Sequence, residues 1–127
     1  MCDISKKSRK KTAIVYKGVI KRINPFGQVE YYSYFVNIPV RVGVIASDKS
    51  PCLKDQFYNV KMIGRCSGFA ELRDAKKLIA EESGCVVLKM EITKDIMSGT
   101  TAHISSNISY KHKIYAGKEI LSIEEVE

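Results

Sequence analysis

Apolar and polar residues alternate along several stretches of this chain, and the first of these stretches predicts a β-hairpin. Between Thr12 and Ile23, β-branched and aromatic residues recur at every second position, which is the period of a strand. Asn24-Pro25-Phe26-Gly27 follows. Because proline fixes φ and glycine tolerates positive φ, these four residues are typical of a tight turn. The next apolar run, residues 29–35, is therefore predicted to pair with the first as the second strand of the hairpin.

Later stretches show a similar alternation and are also predicted as strands. They are residues 38–45, 57–63, Cys85–Thr93, 108–115 and Glu119–Val126. Pro39 and Gly43 indicate that the first of these is an edge strand or a bulged strand. For the last, a short acidic helix is the alternative. Residues 46–56 are predicted as a polar loop, and the Ser98-Gly99-Thr100-Thr101 segment is predicted as a turn.

One helix is predicted, over about residues 68–83, where Phe69, Leu72 and Ile79 recur at helical spacing. Ser67 is placed to cap its N-terminus, and Gly84 is placed to end it. The predicted fold class is therefore α+β: a mostly antiparallel sheet or small barrel of about six or seven strands with one central helix. Residues 12–127 are predicted to form a single globular domain.

Basic residues are concentrated at the N-terminus. The chain has 21 Lys and Arg against 14 Asp and Glu, a net charge of +7, and residues 1–11 account for five basic and one acidic residue, or +4. A short basic run can follow a nucleic-acid backbone, or it can be a solvated tail. We predict a flexible basic arm over residues 1–11. Its candidate nucleic-acid contacts are Lys6, Lys7, Arg9, Lys10 and Lys11.

The Gly64-Arg65-Cys66-Ser67-Gly68-Phe69 segment is a candidate anion site, because the predicted helix would begin there with unpaired backbone N–H groups. Arg65, Ser67 and Gly68 are the candidate phosphate ligands. The spacing matches neither a P-loop nor a nucleophile elbow. The alternative is an ordinary capped helix whose glycines serve only the turn.

Tyrosines are unusually dense in Tyr31-Tyr32-Ser33-Tyr34-Phe35. In a strand, Tyr32 and Tyr34 share one face, and both lie in the same predicted sheet as Arg41. These side chains could stack on a nucleobase, line an interface, or pack across strands, and the residues leave these three interpretations open. Lys111-His112-Lys113 with Tyr110 and Tyr115 repeats the basic and aromatic pattern more weakly, and a solvated face is the simpler interpretation there.

Catalytic and metal-binding patterns are absent from the sequence. The four cysteines form no C-x-x-C pair, and His103 and His112 are wrongly spaced for a zinc site. Carboxylates do not cluster for acid–base chemistry. We expect a non-enzymatic protein without a cofactor or metal. No apolar run approaches the roughly 18 residues of a membrane span and no signal peptide is evident, so we expect a cytoplasmic protein without a membrane partner.

The chain resembles a group of small β-rich proteins encoded by phages and mobile elements. The resemblance rests on Tyr16-Lys17 in the first strand, on Gly68-Phe69 followed by Leu72 and Ala75-Lys76, and on the Gly99-Thr100 step. It implies a phage accessory protein that counters host defence, by sequestering a nucleotide signal as a homo-oligomer or by blocking an effector. Members of the group often have His where this chain has Ala70, so no role of that His transfers.

Together these features favour a non-catalytic protein that sequesters an anionic nucleotide. Arg65, Ser67 and Gly68 would hold phosphate, Tyr32 or Tyr34 would stack on the base, and Arg41 would add charge. The first alternative is a single-stranded nucleic-acid-binding protein with an OB-like barrel, in which the basic arm follows the backbone. The second is an inhibitor that blocks a protein partner through its tyrosine-rich surface or a sheet edge.

Overall fold

The computed structural model of the protein describes residues 2–33, 39–45, 64–80, 82–105 and 108–126. These residues form strands and one helix. In chain order they are β1 (Cys2–Lys7), β2 (Thr12–Ile23), β3 (Val29–Ser33), β4 (Gly43–Val44), β5 (Cys66–Phe69), α1 (Leu72–Leu78), β6 (Cys85–Thr93), β7 (Met97–Ser105), β8 (Ile108–Gly117) and β9 (Glu119–Val126). The described residues therefore confirm the α+β class.

The strands form one open antiparallel sheet. Its order is β1-β7-β8-β5-β2-β6-β9-β4, and β3 pairs with β2 beside that path. Within the described residues the sheet has nine strands, so the predicted small barrel of six or seven strands is wrong. Two of the additional strands come from segments that the sequence assigned elsewhere: β1 from the predicted arm, and β7 from the predicted turn at residues 98–101. Both segments form strands through backbone hydrogen bonds, which their side chains do not prevent. Lysines are common on edge strands, and a Gly-Thr step can pair through its main chain alone.

The core lies on one face of the central pair, β2 and β6. Nine residue pairs join these strands, from Thr12 with Thr93 to Ile20 with Cys85. The side chains packed there are fully or almost fully buried: Val15, Val19, Leu88, Met90, Ile92 and Ile120. On β6 the structure confirms both the predicted bounds and the predicted inward positions of Leu88, Met90 and Ile92, with Lys89 exposed.

The opposite face of β2 and β6 is covered by α1. Gly18 permits this contact, because a Cβ there would lie 2.6 Å from Ile79 Cγ2. Val87, the β6 partner of Gly18, and Ala75 of α1 are buried. Near Gly18 and Val87 the central strands are therefore buried on both faces, whereas Lys89 farther along β6 is exposed. This local burial is why β6 includes the apolar pair Val86-Val87 where strict alternation would place one polar residue.

The predicted hairpin is confirmed. Residues 19–23 of β2 pair with residues 29–33 of β3. In the turn, the Asn24 side-chain oxygen accepts hydrogen bonds from the backbone N–H groups of Phe26 and Gln28, both at 2.9 Å, and Gly27 has a φ of +80°. The turn could be predicted from the sequence because Asn24 and Gly27 shape it through hydrogen bonds and a φ angle within the turn itself.

The helix begins later and ends earlier than predicted. Residues 66–69 belong to β5, and the N-cap of α1 is Glu71, which makes no side-chain capping hydrogen bond. Ser67 pairs with Ala116 of β8 and Gly68 with Tyr115. A strand ladder therefore takes the backbone groups that the sequence assigned to a helix start, and the predicted cap at Ser67 is wrong. Gly84, with a φ of +78°, lies in the turn before β6.

The structure differs from two further predictions, the turn at residues 98–101 and the strand over residues 38–45, and it confirms the last predicted strand. Three predictions lie outside the described residues. A turn occurs at Lys94-Asp95, whose φ angles are +66° and +53°. Glu119–Val126 forms a strand, so the helical alternative for this segment is wrong. Of the described residues 39–45 of the predicted strand, only Gly43–Val44 is a strand, with an isolated bridge at Pro39. Tyr34, the predicted loop at 46–56 and the predicted strand at 57–63 fall outside the part that the structure describes. No helix of the described part is long and apolar enough to cross a membrane.

Candidate nucleic-acid interface

Arg65, the predicted phosphate clamp, is engaged in an internal ion pair. The residue is 8% exposed, and its Nη2 lies 2.7 Å from Asp95 Oδ2 while its Nε donates to the Asp95 carbonyl at 3.2 Å. Lys118 Nζ lies 3.2 Å from the same carboxylate oxygen. The hydrogen bond from Lys118 lowers the pKa of Asp95, and the Arg65 charge adds to this effect. The guanidinium therefore already has a carboxylate partner at the Lys94-Asp95 turn.

Ser67 and Gly68 are buried within the sheet. Both belong to β5, and the Ser67 carbonyl accepts a hydrogen bond from Lys17 Nζ at 3.0 Å. A Cβ on Gly68 would lie 2.8 Å from Val15 Cβ and 3.0 Å from the Tyr16 carbonyl oxygen. Glycine is required here because β5 passes close to β2, so packing explains this residue without a phosphate.

Tyr32 and Arg41 lie elsewhere, at what we call the hairpin end: the β2–β3 turn, β3 and residues 39–42. Tyr32 donates its hydroxyl to Glu30 at 2.6 Å, and the Arg22 guanidinium carbon lies 4.8 Å from the Tyr32 ring centroid. Arg41 lines a cavity of about 450 Å³ beside β3. Its other lining residues are Gln28, Val29, Glu30, Tyr31, Pro39, Val40, Val42 and Ile123.

The predicted nucleotide ligands therefore fall into separate places. Arg65 is paired with Asp95, which lies two residues after Thr93, the partner of Thr12 at one end of β2. Tyr32 instead pairs with Ile20, near the other end of β2. Eight residues of extended strand between Thr12 and Ile20 span about 26 Å. The structure does not bring Arg65 together with Tyr32 and Arg41 in one site.

The hairpin end also carries a pH-sensitive bond, which gives a testable prediction. Tyr31 donates its hydroxyl to Glu125 Oε2 at 2.6 Å, and this bond, with burial, raises the pKa of Tyr31 to about 12. An unfolded tyrosine titrates near pH ~10. The stabilisation is thus complete below about pH 10 and is lost as the pH rises through the folded pKa. We expect urea-unfolding free energies to fall more steeply between pH 10 and 12 in the wild type than in Tyr31→Phe, and parallel curves would contradict this.

The N-terminal basic segment, predicted as a flexible arm, is held on the domain. Residues 2–7 form β1, which pairs with β7. Beyond β1, the Ser8 N–H donates to the Ile96 carbonyl at 2.8 Å, and the Thr93 hydroxyl donates to the Lys11 carbonyl at 2.7 Å. The Lys10 N–H donates to Ser8 Oγ at 3.2 Å. Three successive contacts thus fix the path of residues 8–11 between β1 and β2.

This path creates a groove between the N-terminal segment and the β6–β7 turn, which we call the basic groove. Its volume is about 490 Å³, and its lining residues are Lys7, Ser8, Lys10, Lys11, Thr93, Lys94, Asp95 and Ile96. Four of the eight are lysines. The single carboxylate, Asp95, already pairs with Arg65 and Lys118, and Lys94 pairs with Glu119 at 2.7 Å. The lysines of residues 7–11 therefore give the groove its positive charge.

Sequence reasoning identified three of these four lysines and missed the fourth. Lys94 reaches the groove because the chain turns at Lys94-Asp95 with positive φ at both residues. Non-glycine residues seldom adopt positive φ, although Asp does so more often than most. The presence of Asp95 is therefore the one local feature of the sequence that favours a turn here. The ion pairs of Asp95 with Arg65 and Lys118, and the hydrogen bond from the Ser8 N–H to the Ile96 carbonyl, stabilise this turn.

Metal binding and a reactive thiol have no support among the described residues. No three His, Cys, Asp or Glu side chains among them come together as a metal site. Cys66 is buried, and burial raises the pKa of the half-buried Cys85 thiol, with the nearby Glu82 adding to the effect. A raised pKa reduces the thiolate fraction and hence the nucleophilicity at neutral pH.

Comparisons of the chain with protein-family models, with curated proteins and with solved structures found no match.

Proposed function

We propose that this protein is a non-catalytic nucleic-acid-binding protein and that the basic groove holds the phosphate backbone. The observation that supports this proposal most directly is the convergence of Lys7, Lys10 and Lys11 with Lys94 on one groove. A phosphodiester chain carries one negative charge per nucleotide, so several lysines along one path match it better than they match a single small anion.

The fixed path of residues 8–11 strengthens the proposal. A disordered arm loses conformational freedom when it binds, and that loss reduces the affinity gained from its charges. Here the hydrogen bonds from the Ser8 N–H to the Ile96 carbonyl and from the Thr93 hydroxyl to the Lys11 carbonyl already order the segment. Its lysine side chains still lose freedom on binding, but its backbone loses little.

Nucleotide sequestration, the first hypothesis from the sequence, has weaker support. It requires Arg65 to clamp phosphate beside the tyrosines. Arg65 instead holds Asp95 at 2.7 Å, and Tyr32 lies toward the opposite end of β2. The geometry therefore favours the nucleic-acid alternative, with the groove and not an OB-like barrel as its basis.

The proposal is tested by fluorescence polarisation of a labelled 20-nucleotide oligomer titrated with the protein at 50, 100, 200 and 300 mM salt. Engagement of three phosphates, one by each of Lys7, Lys10 and Lys11, predicts that log K falls linearly with log salt concentration with a slope of about −2, because each neutralised phosphate of a single strand contributes about −0.7. Absence of binding at 50 mM salt, or an affinity that does not change with salt, would overturn it.

A further inference from the structure

Tyr115 of β8 lies beside the basic groove, under two ammonium groups. Lys10 Nζ is 5.7 Å and Lys113 Nζ is 5.1 Å from the centroid of the Tyr115 ring. The ring is half-buried and packs against the core on one side. Lys10 also lines the groove, so the tyrosine and the groove share a residue.

The same face of the sheet continues as a polar, accessible surface across three strands. Lys6 of β1 pairs with Ser98 of β7, and Ser98 pairs with Tyr115 of β8. Lys113 lies two residues from Tyr115 on the same strand face, with Thr100 as its partner. Lys6, Thr100 and Lys113 are exposed. Ser98 therefore lies between Lys6 and Tyr115 across the sheet, and Lys113 lies next to Tyr115 along its own strand face.

An aromatic ring flanked by cations suits a nucleotide whose base is accessible. In a duplex, the base faces are stacked on one another, and a protein ring beside the backbone cannot contact them. In a single strand, a base can stack on an aromatic side chain while the adjacent phosphates reach nearby cations. The ammonium groups of Lys10 and Lys113 contact the ring through cation–π attraction. Because lysine side chains are long and flexible, both ammonium groups can move to phosphates, and a base can then stack on the ring.

We infer that the protein binds single-stranded nucleic acid in particular, and that one base stacks on Tyr115 while Lys10 and Lys113 hold the flanking phosphates. This inference rests on the proposed function, because the strand leaves the basic groove at Lys10. It adds a base-contacting residue, Tyr115, and a preference for strands with accessible bases.

The test compares three ligands of equal length on the wild-type protein: a 20-nucleotide single strand, the same strand with abasic residues throughout, and the corresponding duplex. The abasic strand keeps the phosphates and removes the bases, so it measures stacking without altering the protein. We expect the normal strand to bind about tenfold more tightly than the abasic strand, since one stacked base contributes on that order. We also expect it to bind more tightly than the duplex.

Variants at Tyr115 test whether the base stacks on this ring. Tyr115→Phe keeps the ring and should bind all three ligands like the wild type. Tyr115→Leu should lose about tenfold for the normal strand and nothing for the abasic strand, a pattern that partial unfolding would not produce because unfolding weakens both.

The outcomes separate this inference from the proposed function. Equal binding of the normal and abasic strands, or tighter binding of the duplex, would overturn the single-strand inference and leave salt-dependent nucleic-acid binding intact. Failure of all three ligands to bind at 50 mM salt would overturn both. Loss of the preference for the normal strand in Tyr115→Leu together with its retention in Tyr115→Phe would support the inference.

Discussion

Replacement of Gly68 by alanine is expected to destabilise the fold by about 3 kcal/mol, the upper range for overpacking a core. A Cβ at this position would lie 2.8 Å from both Cβ and Cγ2 of Val15 and 3.0 Å from the Tyr16 carbonyl oxygen. Val15 is fully buried, and the carbonyl belongs to the backbone of β2, so neither can move aside without shifting a strand. Urea denaturation monitored by circular dichroism gives the free energy of unfolding.

Gly84→Ala is the matched control for Gly68→Ala. Gly84 has a φ of +78°, and a Cβ there would meet nothing within 4 Å. Its replacement therefore carries only the backbone cost of the left-handed conformation, about 1 kcal/mol. If Gly68→Ala were no more destabilising than Gly84→Ala, the close approach of β5 to its neighbour β2 at Gly68 would be wrong. The phosphate role that the sequence suggested for Gly68 would then regain support.

Replacement of Lys7, Lys10 and Lys11 by glutamine is expected to weaken binding of a 20-nucleotide single strand about 100-fold at 50 mM salt. Each lysine contributes a charge-assisted contact of about 1.5 kcal/mol or less once its ordering cost is included. The slope of log K against log salt concentration should also become less negative by about 2, since three phosphates are no longer neutralised. Fluorescence polarisation at several salt concentrations measures both quantities.

A second triple variant controls for net charge. The control replaces three exposed lysines that do not line the basic groove, Lys76 and Lys77 of α1 and Lys89 of β6. Their replacement by glutamine removes an equal number of positive charges. This variant should bind nearly as the wild type does, because charges beyond a Debye length of about 10 Å are largely screened at 0.1 M salt. Equal losses in the two triple variants would show that binding follows overall charge and not the groove.

Much of the strand content could be predicted from the sequence where the signal was local. Apolar residues occupy every second position from Val86 to Ile92, and the structure confirms the predicted strand bounds, Cys85–Thr93. The Asn24–Gly27 turn was also evident, because Asn24 and Gly27 shape the turn through their own backbone and side-chain geometry. These elements depend on neighbours in the sequence, and such dependence is visible in a single chain.

The misassigned elements depend on distant partners. Ser67 and Gly68 precede a helical pattern, yet their backbone groups pair with Ala116 and Tyr115, about fifty residues away. The same is true of β1, which is charged and short but pairs with β7. A tertiary ladder overrides a local capping signal because it satisfies more backbone groups, and no periodicity within residues 1–11 or 64–70 reveals the ladder.

The candidate site also combines residues that the sequence identified with residues that only the fold brings together. The charge run at the N-terminus identified Lys7, Lys10 and Lys11, whereas Lys94 joined them only through the turn that follows β6. The sequence noted the run Lys111-His112-Lys113 with Tyr110 and Tyr115 as a weak basic and aromatic pattern and favoured a solvated face. The proximity of Tyr115 to Lys10 and Lys113 could be seen only in the fold. The relation to phage accessory proteins, homo-oligomer formation and a cytoplasmic location stay predictions from the sequence.

The most direct test of where nucleic acid binds is a titration of the uniformly ¹⁵N-labelled protein with a single-stranded oligonucleotide, followed by amide chemical shifts. The groove account predicts that the shifted amides cluster in residues 8–11, 94–96 and 113–115. The same titration reports on the rival position, because residues 28–31 and 41–42 surround the cavity at the hairpin end. Shifts confined to the hairpin end, or no shifts at low salt, would contradict the assignment of binding to the basic groove.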